Sequence, residues 1–388
     1  MHEIKRKKLV VIGANDFQNQ LILCAKEKGI ETFCFAWKEG AAGEQTADHF
    51  YPVSIVEKED ILEECKKIKP DGIVSIASDL AVITVNFVAE KLGLTGNGME
   101  SAQISTNKYL MRKAFAENGD PSPAFFLSDE LTEDVISKLE FPLIVKPVDR
   151  SGSRGVTKVG SVQQLKEAVS MAGKVSFMHS VIIEEFVEGE EFSVEYISYH
   201  GQHTFLAVTK KYTTGEPHYI ETGHMEPAFI SDELLERIKG IVSHALDTLK
   251  IKNGASHSEI KISENGEIKI IEIGGRMGGD CIGSDLVKLS TGYDFVGMVI
   301  DVAFGQRPVF QQICKPAVAR VHFIFNEKDI ERLRFIKKTM PEILYRVSEI
   351  SSCKEGEILD SSTRWGYYIT KNEKREVDLY AESNRLLS

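Results

Sequence analysis

Short apolar runs separated by stretches of helical periodicity dominate the first hundred or so residues. Leu9 to Ile12 is an apolar run ended by Gly13, apolar positions then recur at helical spacing from Asn19 to Lys28, and a second run follows Gly29 from Thr32 to Ala36. The rhythm continues as a helix over Ile61 to Ile68, a buried strand over Gly72 to Ile76 and a helix over Leu80 to Leu92. Strands apolar on both faces and joined by helices belong to a parallel sheet with crossovers, so this part of the chain is expected to be doubly wound. A further helix over Lys108 to Asn118 is closed by Gly119, and Pro121 and Pro123 prevent its continuation.

Beyond this point the pattern changes character. Strand-like segments at Leu143 to Lys146, Val156 to Val159, Val181 to Glu185 and Glu191 to Ser198 are joined by glycine-bearing turns, with a helix at Val162 to Ala172. After a helical stretch from Asp232 to Leu249, the strands Ser256 to Ile262 and Glu267 to Ile273 flank Glu264-Asn265-Gly266, and Asn-Gly between alternating runs is a strong hairpin signal. Strand-like Val318 to Phe325, a helix near Asp329 to Lys338 and strand-like Arg364 to Ile369 make a small terminal α+β unit. The fold class expected is α/β and α+β multidomain, with a Rossmann-like unit first.

Length supports that division: at about 150 residues per domain, 388 residues make two to four domains. The formal net charge of −11 excludes an electrostatic nucleic-acid binder or a binder of anionic membranes, leaving small molecules as partners. Cys24, Cys34, Cys65, Cys281, Cys314 and Cys353 are scattered with no CxxC pair and no zinc spacing, as expected of reduced thiols in a cytoplasmic protein. The basic run Lys5 to Lys8 is followed by an apolar stretch too short for a signal peptide, and no run is long enough to span a membrane.

Four stations could carry chemistry. The first is Lys146-Pro147 followed by Asp149-Arg150-Ser151-Gly152-Ser153-Arg154-Gly155-Val156, a glycine-serine turn whose backbone N–H groups can wrap phosphates while Lys146 supplies a point charge. A plain surface turn has the same composition. The second is the apolar strand running into Glu184-Glu185-Phe186-Val187, then Gly189 and Glu191. Backbone groups of Glu185 and Val187 suit the edge of a base and Glu191 suits ribose hydroxyls; a solvated acidic edge strand is the plain alternative. The third is Glu259 with Glu272, on strands flanking the Asn-Gly turn. Antiparallel pairing brings them together, and opposed carboxylates repel unless a cation lies between them. Outward-facing acids on a wet hairpin are the alternative. The fourth is Gly274-Gly275-Arg276-Met277-Gly278-Gly279, where Arg276 offers a planar fork for a phosphoryl or carboxylate oxygen and Gly278 and Gly279 allow close backbone approach to a ligand. His257 shares the strand face of Glu259, as a substrate contact or as a satisfied core histidine. In the first unit, Gly13 to Gln18 and Ser78-Asp79 should face one crevice, with helix capping the competing role of Ser78 and Asp79. The turn at Gly13 has one glycine where a dinucleotide fingerprint has three, so nicotinamide binding is poorly supported.

In this order the four stations resemble the ATP-grasp superfamily over roughly residues 1 to 310, most closely its L-amino-acid ligase branch and the carbamoyl-phosphate-synthetase-like proteins. The resemblance implies a doubly wound domain over 1–105, a small lid domain over 106–188, a large domain over 189–310 and a C-terminal α+β domain over 311–388. It implies that Lys108 and Lys146 hold ATP phosphates under a lid of Ser151, Gly152, Ser153, Gly155 and Val156. Glu184, Glu185, Phe186 and Val187 would hold adenine and Glu191 the ribose. Glu259 and Glu272 would hold magnesium, with manganese as the alternative ion, and Arg276 would be catalytic. Ser78, Asp79, His257, Gly278 and Gly279 would face the substrates, a small carboxylic acid and an amine; a homodimer stays open. One departure stands out: the usual Glu-x-Asn-x-Arg has Gly274 in place of Asn, which removes an amide ligand. The reaction implied is carboxylate–amine ligation through an acyl phosphate. Other ATP-grasp chemistry and a non-catalytic ATP-binding protein are the competing readings. Contacts to acid and amine would come from irregular segments such as Thr213 to Met225, and Tyr212 to Tyr219 is a substrate loop or an ordinary connection.

Overall fold

A computed structural model describes residues 6–132, 136, 139–216, 219–351 and 363–372 of the chain. Cys353, Lys5 and residues 217–218 of the expected substrate loop lie outside them.

The N-terminal part is an all-parallel sheet of β1 (Lys8–Ile12), β2 (Glu31–Phe35), β3 (His49–Tyr51) and β4 (Gly72–Val74), in the order β3-β2-β1-β4. β1 and β2 are buried along almost their whole length, as strands covered by helices on both faces must be. The first helix begins at Asp16, one turn before the apolar spacing suggested. Asn15 accepts from the Gln18 N–H while Gln18 reaches back to the Asn15 N–H, a capping box that periodicity does not register. Helices Asp79–Leu92 and Lys108–Asn118 follow the pattern; Gly98–Thr106 between them escaped it.

A second sheet, antiparallel, consists of β5 (Phe125–Leu127), β6 (Leu143–Pro147), β7 (Thr157–Val159) and β8 (Val181–Glu185), ordered β5-β8-β6-β7 and backed by a helix at Val162–Val175. Among the described residues the third sheet has eight strands: β9 (Glu190–Tyr199), β10 (Gln202–Thr213), β11 (Glu221–Glu226), β12 (Gly254–Ile262), β13 (Ile268–Gly274), β14 (Val318–Ile324), β15 (Leu344–Val347) and β16 (Gly366–Asn372). Their order is β13-β12-β9-β10-β11-β14-β16-β15, so the C-terminal strands extend this sheet beside β11.

The apolar helix Phe295–Ala303 joins the first sheet to the third. Phe295, Val299 and Val302 pack in one core with Leu9 and Val11 from β1 and with Ile197, Leu206 and Ala255 from the large sheet. Burying each such side chain contributes about 1.5–3 kcal/mol, so the two sheets are held in a fixed relation. That relation places Asp79, at the start of its helix, beside the end of β13. Among the described residues no helix is long and apolar enough to cross a membrane. Cys24, Cys34, Cys65, Cys281 and Cys314 are free thiols.

Candidate active site

The second and third sheets face each other across a crevice, and three of the four sequence stations meet there, joined by Arg276 from the fourth. Its walls include Lys108, Lys146, Glu184, Glu259, Glu272 and Arg276. On the floor Glu259 and Glu272 are Cα partners in the β12–β13 pairing. The register shifts just after this pair, leaving Ile271 as an extra residue on β13, and both Ile271 and Glu272 line the crevice. Simple alternation would have sent one of them to the opposite face.

Ammonium groups hold the two acids. Lys108 Nζ donates to Glu272 Oε1 at 2.7 Å and to the Arg150 carbonyl at 2.9 Å, tying the floor to the glycine-serine turn. Lys211 Nζ lies 2.6 Å from Glu259 Oε1, 2.9 Å from Glu191 and 3.5 Å from Glu221. Burial pushes the Glu259 carboxyl up, but Lys211 and His257 outweigh it and hold the group well below the usual carboxylate range. Burial likewise lowers the Lys211 ammonium, and Glu191, Glu259 and Glu221 override it and raise it well above the ordinary lysine value. Opposed carboxylates that already gather cations offer the hard oxygen ligands that suit magnesium. Among the described residues no group of three or more His, Cys, Asp or Glu side chains is placed to hold a metal, so an ion here would complete its shell with phosphate oxygens and water.

Glu184, expected beside the adenine, has its carboxylate in a buried ion triad. Lys146 Nζ donates to Oε2 at 2.6 Å, and Arg112 Nε lies 2.9 Å from Oε1 without pointing its proton at it. Burial raises the Glu184 carboxyl, and Arg112 and Lys146 more than reverse that shift. Arg112 also donates to the Ile271 carbonyl, which links β8 to β13. At the end of β8 the Glu185 N–H is taken by the Ala124 carbonyl at 2.9 Å, and the Val187 carbonyl accepts Lys261 Nζ at 3.1 Å. Phe186 lies under the Lys158 ammonium, 3.8 Å from ring centre, with the Tyr219 ring 6.1 Å away. The segment after β10 thus delivers Tyr219 and Glu221 to the crevice wall.

Ser151, Gly152, Ser153 and Val156 line the opening, while Gly155 is turned against Pro147. Asp79 lines the crevice as well, and its carboxylate is gripped by Arg276, Nε to Oδ1 at 2.7 Å and Nη2 to Oδ2 at 3.0 Å. Ser78 caps the helix that Asp79 begins. Asp16, in the turn expected to share this crevice, instead accepts from the Tyr367 hydroxyl at 3.1 Å, under the C-terminal strands. Gly279 sits against Ala77. The structure accounts for Gly274 physically: a Cβ there would lie 2.9 Å from Asp79 Oδ1 and 3.3 Å from Arg276 Nε. The space an Asn would fill belongs to the Asp79–Arg276 pair. Gly274→Asn, which restores the usual amide, is therefore expected to lower substrate-dependent ADP release, by about 100-fold if Arg276 shifts by an ångström. Steady-state kinetics at saturating magnesium checks this, and faster turnover would show the amide to be simply missing.

Arg112, Lys211 and Glu195 were not singled out from the sequence. Arg112 lies four residues after Lys108 on the same helix, spacing that puts both on one face. Lys211 and Glu195 follow the every-second-residue rule along their strands: Lys211 with Thr209, Glu195 with Ser193 and Glu191.

Residues 139–285 match the ATP-grasp domain family model. The alanine–anticapsin ligase of Bacillus subtilis is 28% identical over 299 residues, covering 67% of this chain and 62% of that protein. The L-arginine-specific L-amino acid ligase of Bacillus subtilis is 28% identical over 257 residues, 62% of this chain and 61% of that one. The chain spans about three fifths of the length of the curated relatives it matches, 62%, 58% and 62% for the first three. The crystal structure of an L-amino acid ligase from Bacillus licheniformis shares the fold, with a TM-score of 0.79 at 24% identity over 98% of this chain and 97% of that one. An ATP-grasp domain thus spans residues 139–285 of this chain, and the wider resemblance is to amino acid ligases.

Proposed function

We propose that the protein is an ATP- and magnesium-dependent carboxylate–amine ligase acting on an amino acid or a similar small acid. The observation that carries this reading is the pairing of Glu259 with Glu272 at the floor of a crevice whose other walls bring Lys108, Lys146 and Arg276. Its similarity to proteins named as amino acid ligases supports the substrate class.

In the proposed reaction an oxygen of the acid's carboxylate attacks the γ-phosphorus of ATP, and ADP leaves to give an acyl phosphate. The amine nitrogen then attacks the acyl carbon and gives up a proton as inorganic phosphate departs, forming the amide. The chemistry supplied by a magnesium ion bound by the two glutamates is charge neutralisation across the phosphates. Lys146, anchored by Glu184, and Lys108, held between Glu272 and Arg150, present cations to the phosphate oxygens. Asp79 fixes the plane of Arg276, so that its free N–H groups meet the phosphoryl or carboxylate oxygen. Ser151 to Val156 close over the crevice and keep water from the acyl phosphate. Such chemistry depends on position and charge and needs no side-chain nucleophile.

The test is ADP release with magnesium across a panel of amino acids, singly and in pairs. ADP that appears only with two amino acids is the expected result. No release with any acid would favour a non-catalytic nucleotide-binding protein.

A further inference from the structure

Beside Glu259 the large sheet holds a buried acid that the reaction above leaves without a task. Glu195 on β9 is the register partner of His257 on β12, and it is fully buried. A carboxylate is not kept out of water without partners. Here one oxygen, Oε1, meets His257 Nδ1, and the other, Oε2, accepts the Gly278 N–H at 3.2 Å. The remaining ring nitrogen, Nε2, lies 3.6 Å from Glu259 Oε1, and His257 lines the crevice. Gly278 leaves room for this contact: a Cβ there would stand 2.7 Å from His257 Nδ1 and 3.0 Å from Glu195 Oε1. Two strands and the turn after β13 thus converge on the orientation of one imidazole.

We infer that Glu195 is a positioning residue, and that its partner is His257, whose Nε2 it directs into the crevice beside Glu259, toward the entering substrates. This rests on the ligase reading above. Gly278, expected to approach substrate, acts instead by leaving space and by donating its N–H to Glu195. An imidazole without such an anchor turns about its terminal torsion, which has a broad twofold profile, and the nitrogen leaves its place. Outer-shell partners of this kind typically matter 10- to 100-fold, or about that, in metal and active sites.

Kinetics of the full chain test the inference. In Glu195→Gln the single carbonyl oxygen serves either the Gly278 N–H or the ring, not both. The expected result is a fall in kcat of roughly 10- to 100-fold with KM for ATP within about twofold of wild type. Because Glu195 acts through His257, adding Glu195→Gln to His257→Asn should change kcat by no more than about threefold further. Gly278→Ala should give the same split by crowding the ring, and it serves where Glu195→Gln does not fold. Wild-type kcat in folded Glu195→Gln, multiplicative losses in the double variant, or a loss confined to KM for ATP would each overturn the proposal. Nitrogen-15 NMR of the histidines, without substrates, reads the contact independently of turnover. A slowly exchanging His257 Nδ1–H in wild type that disappears in Glu195→Gln supports it, and its absence in wild type defeats it. A chain that shows this proton and yet releases no ADP defeats the ligase reading instead.

Discussion

Glu272→Gln is expected to reduce substrate-dependent ADP release by roughly 100- to 1000-fold or more, while the protein stays folded. The substitution keeps the size of the side chain and removes its charge. In the crevice that charge is opposed to Glu259 and bonded to Lys108 at 2.7 Å. With the amide in place, the floor retains one carboxylate, too little negative charge to hold a divalent cation against the phosphates and water. Lys108 loses its partner as well, although the Arg150 carbonyl still accepts from it. The measurements are coupled-assay turnover as a function of magnesium and calorimetric binding of ADP with and without the ion. The expected pattern is lost turnover, lost magnesium dependence of binding, and a melting temperature near that of wild type. Undiminished turnover would sink the assignment of Glu259 and Glu272 to the metal.

The second large effect concerns stability. Glu184→Gln strands two buried cations, Arg112 and Lys146, and removing one partner from a buried ion set typically costs about 3–5 kcal/mol. Net stabilities of domains run to only about 5–15 kcal/mol, so urea should unfold this variant at a markedly lower concentration. The double substitution Arg112→Met with Glu184→Leu removes two of the three charges and should recover part of the loss, with Lys146 still lacking its partner. KM for ATP should stay raised in both variants, because Lys146 has lost its anchor. An unchanged urea midpoint for Glu184→Gln would mean that water solvates the triad and that Glu184 contributes little to the fold.

These two residues also show how much was legible beforehand. Glu259 and Glu272 were visible because the Asn-Gly turn fixes antiparallel pairing and the strand period puts residues on known faces. The bulge beside them was not read beforehand, although the consecutive Ile270 and Ile271 slip the alternation of β13 by one residue. Glu184 was visible as part of a strand running into acids and glycine, and its surroundings suggested a base. Its carboxylate was claimed by Arg112, a residue 72 positions earlier whose approach no local pattern encodes. The helix Gly98–Thr106 was missed because its sequence, Gly-Met-Glu-Ser-Ala-Gln-Ile-Ser-Thr, has little apolar periodicity; it is held by packing and by Ser101 donating to the Leu249 carbonyl.

The sequence by itself determined the strands and helices from β1 to the helix Asp79–Leu92 apart from β3, the hairpin carrying the two glutamates and the order of the four stations. Each rests on interactions between near neighbours in the chain: helical or strand period, caps and turn residues. Only the tertiary structure decided which charges meet. Asp79 reaches Arg276 because Phe295–Ala303 locks the first sheet to the third. Gly274 is small because that pair occupies the space where an Asn would stand. Lys211 and Glu195 come to hold the crevice residues Glu259 and His257 because β9, β10 and β12 lie side by side in an order the chain does not follow. Ion pairs depend on distances of a few ångströms between residues remote in sequence, and those distances exist only after the sheets have packed.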